Sequence, residues 1–207
     1  MRYLLLPMLA TVLVCGGCDD DDSDDTGGDT DTGPVECNLG EYSDYFDIED
    51  QSDVATLAGY TSLSGTLEIE CETCTDLSEL ICLTAVGGDL EFWDSDALTN
   101  MDGLSALTSV DGNLVISGNA ALTNLDGLSA LTSVDGDLGI GSNEALTSLD
   151  GLSVLTSVGG GLGIFSNHVL PDCEVCDLLD QLVSGPNEID VDDNLDDSCT
   201  PVPANCP

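Results

Sequence analysis

Two hydrophobic rhythms alternate along the chain, and the pair recurs every 24 residues. In residues 112–135, GNLVISGNAALTNLDGLSALTSVD, the alternation Leu114-Val115-Ile116 is followed by apolar residues at every third position: Leu122, Leu125, Leu128, Leu131 and Val134. Period-two alternation sends Leu114 and Ile116 to one face and Val115 to the other, as in a strand with one buried side. A spacing of three by itself fits a 3₁₀ or loose α-helix. The Asp-Gly pairs Asp126/Gly127 and Asp135/Gly136 are turn signals, however, so this half of the repeat is expected to make corners between strands.

The same frame covers residues 88–111 and 136–159 and starts again at Gly160 before the pattern changes. Equivalent inward pairs are Leu67/Ile69, Leu90/Phe92, Leu138/Ile140 and Leu162/Ile164, with fainter strands FDI at 46–48 and IDV at 189–191. That predicts about seven coils, above the three or so that stacking needs for a continuous core. Asn119, Asn143 and Asn167 recur three residues after the inward Ile. A carboxamide both donates and accepts, so at a bend it satisfies neighbouring backbone without any ligand. Residues 172–183 put Val175, Leu178, Leu179 and Leu182 on one helical face and stop at Gly185/Pro186, which predicts a short C-terminal capping helix. The expected fold class is an all-β solenoid.

Residues 1–34 stand outside the pattern. One cation, Arg2, precedes an apolar run over 4–14, and Gly16 and Gly17 precede Cys18, the layout of a secretion signal over 1–18. The run is too short to span a bilayer as a helix. The flank resembles a bacterial lipobox, which implies lipidation at Cys18 and an exported chain anchored at the outer membrane or cell surface. Ordinary signal-peptidase cleavage nearby would instead release it. Residues 19–34 carry Asp, Ser, Thr and Gly with no apolar side chain before Pro34 and are expected to be a disordered acidic tether. The solenoid, with disulfide-bonded caps, then occupies 35–207.

Charge narrows the function. The chain has 41 acidic residues against one basic, a formal charge of −40, and loss of the signal removes Arg2 and leaves no Lys or Arg. Nucleic acid is excluded as a partner, because neutralising phosphates requires cations. Basic contacts to anionic headgroups are equally excluded, so a membrane is met only through the lipid anchor. Most of the acidity reads as a solubilising surface, tolerable where salt or divalent cations screen it. Asp102, Asp126 and Asp150 recur at the period and would stack about 4.8 Å apart. Turn formation accounts for them better than a calcium ladder does, and neither a metal nor another cofactor is expected.

Eight cysteines follow the signal, four at each end of the repeats: Cys37, Cys71, Cys74 and Cys82, then Cys173, Cys176, Cys199 and Cys206. Cys71/Cys74 and Cys173/Cys176 have zinc-site spacing, but they sit at opposite ends of the solenoid and an exported chain meets an oxidising compartment, so disulfides are expected. Four cysteines allow three pairings at each end, and sequence does not choose among them.

The coil GxLxIxxNxxLxxLxGLxxL, the entry segment DIEDQSDVATLAGYTSLSGTLEI at 47–69 and the C-terminal LPDC at Leu170 resemble the receptor L domain. This is a leucine-rich-repeat relative found in insulin and epidermal growth factor receptor ectodomains and in fungal cell-wall proteins. The resemblance implies a right-handed parallel β-helix closed by disulfides, with Cys173 paired to Cys199 and Cys176 to Cys206, and a role in binding or adhesion. Tyr60 stands where the family often has a cysteine, a departure at the N-terminal end.

Candidate ligand contacts are outward positions that break the repeat. After the inward Phe92, Ile116, Ile140 and Ile164 come Trp93, Ser117, Gly141 and Phe165; between the inward pairs lie Glu91, Val115, Gly139 and Gly163. Trp93 and Phe165 would flank a floor of small residues about 14 Å across, suited to a flat sugar or a peptide edge. Glu91, Trp93, Val115 and Phe165 are therefore the candidate binding residues. The competing role for the aromatics is to shield backbone or to pack under the tether or a cap. Catalysis has little to work with. Without Lys or Arg the chain lacks the basic residue that polysaccharide-lyase sites on parallel β-helices use, and His168 reads as a surface turn residue. The expectation is a noncatalytic surface module that binds a glycan or protein partner in adhesion or cell contact. The alternatives are a structural coat without a specific ligand and, third, a carboxylate-only glycosidase.

Overall fold

A computed structural model of the chain describes residues 35–195. The chain divides into two units, Met1–Thr32 and Gly33–Pro207, and every described residue belongs to the second. The secretion signal, Cys18 and the acidic tether, together with Cys199 and Cys206, lie outside the described residues.

The period-two stretches are strands. In chain order the first elements are β1 (Gly40–Tyr42), β2 (Phe46–Ile48), helix α1 (Gln51–Thr56), β3 (Tyr60–Leu63), β4 (Leu67–Ile69), β5 (Ala85–Val86) and β6 (Leu90–Trp93). They are followed by β7 (Ser109–Val110), β8 (Leu114–Ser117), β9 (Ser133–Val134), β10 (Leu138–Gly141), β11 (Ser157–Val158) and β12 (Leu162–Phe165). Helix α2 (Asp172–Gln181) and β13 (Ile189–Asp192) complete the set. All strand pairs are parallel and form two sheets, a seven-stranded one in the order β13-β12-β10-β8-β6-β4-β2 and a six-stranded one in the order β1-β3-β5-β7-β9-β11. This is a solenoid-like parallel β fold. Through the repeats the register equals the sequence period, so Leu114 pairs with Leu138 and Ile140 with Ile164.

The inward pairs Leu90/Phe92, Leu114/Ile116 and Leu138/Ile140 are fully buried, as are Leu122, Leu125, Leu128, Leu131 and Val134. The spacing of three thus points every third residue into one core. Of the Asp-Gly pairs expected to make corners, Asp126/Gly127 opens a single turn of 3₁₀ helix, Asp126–Leu128, repeated at Asp102–Leu104 and Asp150–Leu152, while Asp135/Gly136 forms a bend between Ser133–Val134 and Leu138–Gly141. Glycine is required in the 3₁₀ turns because neighbouring corners touch backbone to backbone: a Cβ on Gly127 would lie 1.8 Å from the Met101 carbonyl oxygen. The six-stranded sheet was not foreseen. Its repeat strands are two-residue Ser-Val or Ala-Val units, too short for an alternation to be read.

Buried asparagines join the layers. Asn119 N donates to Asn143 Oδ1 and Asn143 N to Asn167 Oδ1, each at 3.1 Å. The amide nitrogen of Asn143 also donates to the Ile116 carbonyl at 2.9 Å. Ser95 and Asn194 take the equivalent places at the two ends: Ser95 N donates to Asn119 Oδ1 and Asn167 N to Asn194 Oδ1. A second ladder runs along the strand entries, where Asp89 Oδ1 accepts from Asn113 N, Asn113 Oδ1 from Asp137 N and Asp137 Oδ1 from Gly161 N. A third is built of threonine, with Thr108 and Thr132 each donating a hydroxyl to the carbonyl one repeat earlier, both at 2.9 Å.

Helix α2 caps the core with Val175, Leu178 and Leu179 buried and Leu182 partly buried against it. Helix α1 was not foreseen. Asp50 and Asp53 form a reciprocal capping box that starts it, and Val54 faces the core. Among the described residues Cys37 is bonded to Cys82 and Cys71 to Cys74. Closing the 45-residue span from Cys37 to Cys82 removes about 4 kcal/mol of unfolded-chain entropy. Cys173 and Cys176 are also disulfide-bonded. The partners that the resemblance implies for them, Cys199 and Cys206, fall beyond the described residues.

Candidate functional site

With Leu and Ile facing the core, pairing register lines up the intervening outward residues of the seven-stranded sheet. One row reads Asp47, Glu68, Glu91, Val115, Gly139, Gly163 and Asp190. The next reads Trp93, Ser117, Gly141, Phe165 and Asp192. Acidic residues hold the two ends of the first row, and small or apolar residues hold its centre.

Over that centre lies an open groove of about 520 Å³. Its floor is Gly139 and Gly163; Val115 and Asp190 stand at its ends, and Asn113, Asp137 and Glu188 form one long side. Asn113 and Asp137 are held there by the strand-entry ladder. The Glu188 and Asp190 carboxylates accept no hydrogen bond among the described residues, so they are free to meet an incoming donor.

The sequence-predicted contacts distribute unevenly around the groove. Val115 lines it. Phe165 borders it: its ring lies across Gly141, where a Cβ would come within 2.6 Å of the ring, and approaches a Cβ position on Gly163 at 3.5 Å. Phe165 therefore covers backbone on one side while 41% of it stays exposed. Trp93 and Glu91 lie one strand beyond Val115 and bond to each other, the indole N–H donating to Glu91 Oε2 at 3.2 Å. The hollow sits in the row beside the two aromatics rather than between them. Sequence reasoning passed over Asp137, Glu188 and Asp190; the outward middle position of the IDV strand was the available signal for Asp190.

The glycines divide sharply. At Gly141 the Phe165 ring fills the side-chain space and must swing aside to admit a Cβ, whereas a Cβ on Gly139 would meet nothing within 4 Å and one on Gly163 would make only ordinary contact. Neither Gly139 nor Gly163 has a positive φ. Glycine weakens a strand, so two glycines that packing and backbone do not demand mark a place where something else approaches the sheet closely.

The acidic end of the first row has its own electrostatics. The Tyr45 hydroxyl donates to Glu68, and that bond with burial and surrounding carboxylates raises its pKa to about 12. Desolvation, reinforced by Glu49, Glu68, Glu70 and Asp53, raises the Asp47 carboxyl, whose Oδ1 is buried without a partner. A raised folded-state pKa means that the folded chain binds more protons than the unfolded one between the ordinary carboxyl value and the raised one. Stability therefore falls as pH rises through that window. Asp47→Asn is expected to raise the melting midpoint at pH 7 by about 2 °C and to lose that advantage below pH 4, read by thermal unfolding across pH.

His168 meets Asp193 at 3.3 Å, with both side chains exposed. Among the described residues no group of three or more His, Cys, Asp or Glu side chains is arranged to hold a metal ion. None of their helices is long and apolar enough to cross a membrane. No protein-family model and no curated protein sequence matches this chain.

Proposed function

We propose that this chain is a cell-surface lipoprotein, anchored through Cys18, whose region 35–207 is a noncatalytic binding module for a glycan or protein ligand in adhesion or cell contact. The proposed architecture is a right-handed parallel β-helix of about seven coils akin to the receptor L domain, in keeping with the hand that parallel crossover connections adopt. What carries the reading is the pair Gly139 and Gly163: strand glycines whose added side chains would meet open space or ordinary contact, at the floor of a groove of about 520 Å³. That volume falls in the range of small-ligand sites.

The test is an array of glycans and of peptides probed with the oxidised chain, its Trp93→Ala variant and the double variant Gly139→Val, Gly163→Val. Valine already occupies the same row at position 115, so the double variant is expected to keep the melting midpoint of the parent. Any specific ligand should lose at least about tenfold in affinity on filling the groove, and Trp93→Ala reports whether the neighbouring strand takes part. Arrays on which nothing binds, or binding indifferent to the filled groove, would refute the reading.

A further inference from the structure

The outward row beneath the groove is neutral at its centre and anionic at its ends, with Glu91 one strand beyond the groove, and Asp137 and Glu188 add carboxylates along the groove's side. Between Glu91 on β6 and Asp190 on β13 the outward row holds only Val115, Gly139 and Gly163, and the row beside it ends in Asp192. Those carboxylates are four strand spacings apart, about 19 Å. Among the described residues there is no Lys or Arg to pair with them, and the formal charge of the chain is −40. A second copy brings the same charge and is repelled. The partner is thus a different molecule that bears the missing positive charges.

We infer that the groove takes an extended cationic polypeptide segment lying across the strands, with small side chains over Gly139 and Gly163 and a basic side chain at each end, one on Glu91 and one on Asp190. The inference rests on the groove being the ligand site. An extended chain advances about 3.4 Å per residue, so the two basic residues stand roughly six positions apart. Arginine suits both ends, since its planar fork bonds a carboxylate through two N–H groups. A neutral sugar would cover the glycines but leave Asp190 and the free oxygen of Glu91 without charged partners, and an anionic glycan would be repelled. The glycine floor admits a backbone close to the sheet, which a side chain on either residue would prevent.

Trp93, the one tryptophan of the chain, is bonded to Glu91, so its fluorescence reports binding directly. The full oxidised chain is titrated at about 0.15 M salt with the peptide Arg-Ala-Gly-Ala-Gly-Ala-Arg and with its isomer Arg-Arg-Ala-Gly-Ala-Gly-Ala. The Gln-ended analogue of the first peptide and cellohexaose complete the set. The end-spaced peptide is expected to bind about tenfold more tightly than the clustered isomer of equal charge, and Gln replacement at its ends should remove binding. Asp190→Asn should weaken the end-spaced peptide about tenfold and leave the clustered one nearly unchanged. Gly139→Val should abolish the difference between them while the melting midpoint holds. Equal affinity for the two isomers would reduce the effect to diffuse charge attraction and overturn the proposal, as would failure of the end-spaced peptide to bind. Binding of cellohexaose that Gly139→Val removes, without peptide binding, would keep the groove as a ligand site and assign it to a sugar.

Discussion

Asn143→Ala is expected to cost on the order of 4 kcal/mol, a large share of the stability of a typical domain. The Asn143 carboxamide accepts from Asn119 N and Asn119 Nδ2 at 3.1 and 3.2 Å, and donates to the Ile116 carbonyl at 2.9 Å and to Asn167 Oδ1 at 3.2 Å. All four bonds are buried, so alanine strands a backbone N–H, a backbone C=O and parts of two neighbouring amides away from water. Each such group costs about 1–3 kcal/mol when left unmade. Asn124 is the control. It lies on the outside of a corner and accepts a single bond from Asp126 N at 3.1 Å, so Asn124→Ala should cost about 1 kcal/mol. Guanidinium unfolding of the oxidised variants, followed by far-ultraviolet circular dichroism, separates the two. Similar midpoints for Asn143→Ala and the parent would mean that the ladder contributes little.

Gly127→Ala is expected to be at least as damaging, about 4 kcal/mol or more, because the obstruction is backbone and cannot rotate away. Its Cβ would stand 1.8 Å from the Met101 carbonyl oxygen and 2.1 Å from the carbonyl carbon. Gly103 meets Leu77 and Gly151 meets Leu125 in the same way, so every corner of the repeat depends on this closeness. To admit one methyl group two layers must part, which loosens Leu125 and Leu128 on either side. Gly139→Ala is the opposing case: with open space above it and an ordinary strand backbone, it should gain about 0.5 kcal/mol. Two Gly-to-Ala changes in one chain are thus expected to differ in sign, and calorimetric melting of both reads the difference.

Much of the fold was legible because this sequence repeats its reasons. Leu114, Leu138 and their equivalents announce the inward rows, and the buried Asn positions could be read as backbone partners before any geometry was known. The short second sheet was not legible, since two residues are too few to alternate, nor was α1, whose start depends on the reciprocal bonds of Asp50 and Asp53. At the candidate site the outward rows followed from the pleat, so Val115, Trp93 and Phe165 could be placed. The hollow itself could not. Its position depends on where the Phe165 ring comes to rest, over Gly141, and on β13 bringing Asp190 alongside Gly163 after an insertion that breaks the 24-residue count. Ring orientation and the register of an irregular strand are tertiary outcomes, and local pattern does not encode them.

The three interlayer ladders also set how this molecule can change in length. Asparagine, strand-entry carboxylate or carboxamide, and threonine each hand a hydrogen bond to the residue one period away. Excising or duplicating a whole 24-residue unit rejoins all three at once and leaves the same surfaces at the seam. A change of any other size misaligns them together and exposes buried amides. Growth is thereby quantised: variants can come longer or shorter in steps of one layer, each step moving the acidic ends of the outer face apart or together by one strand spacing while both terminal caps stay as they are.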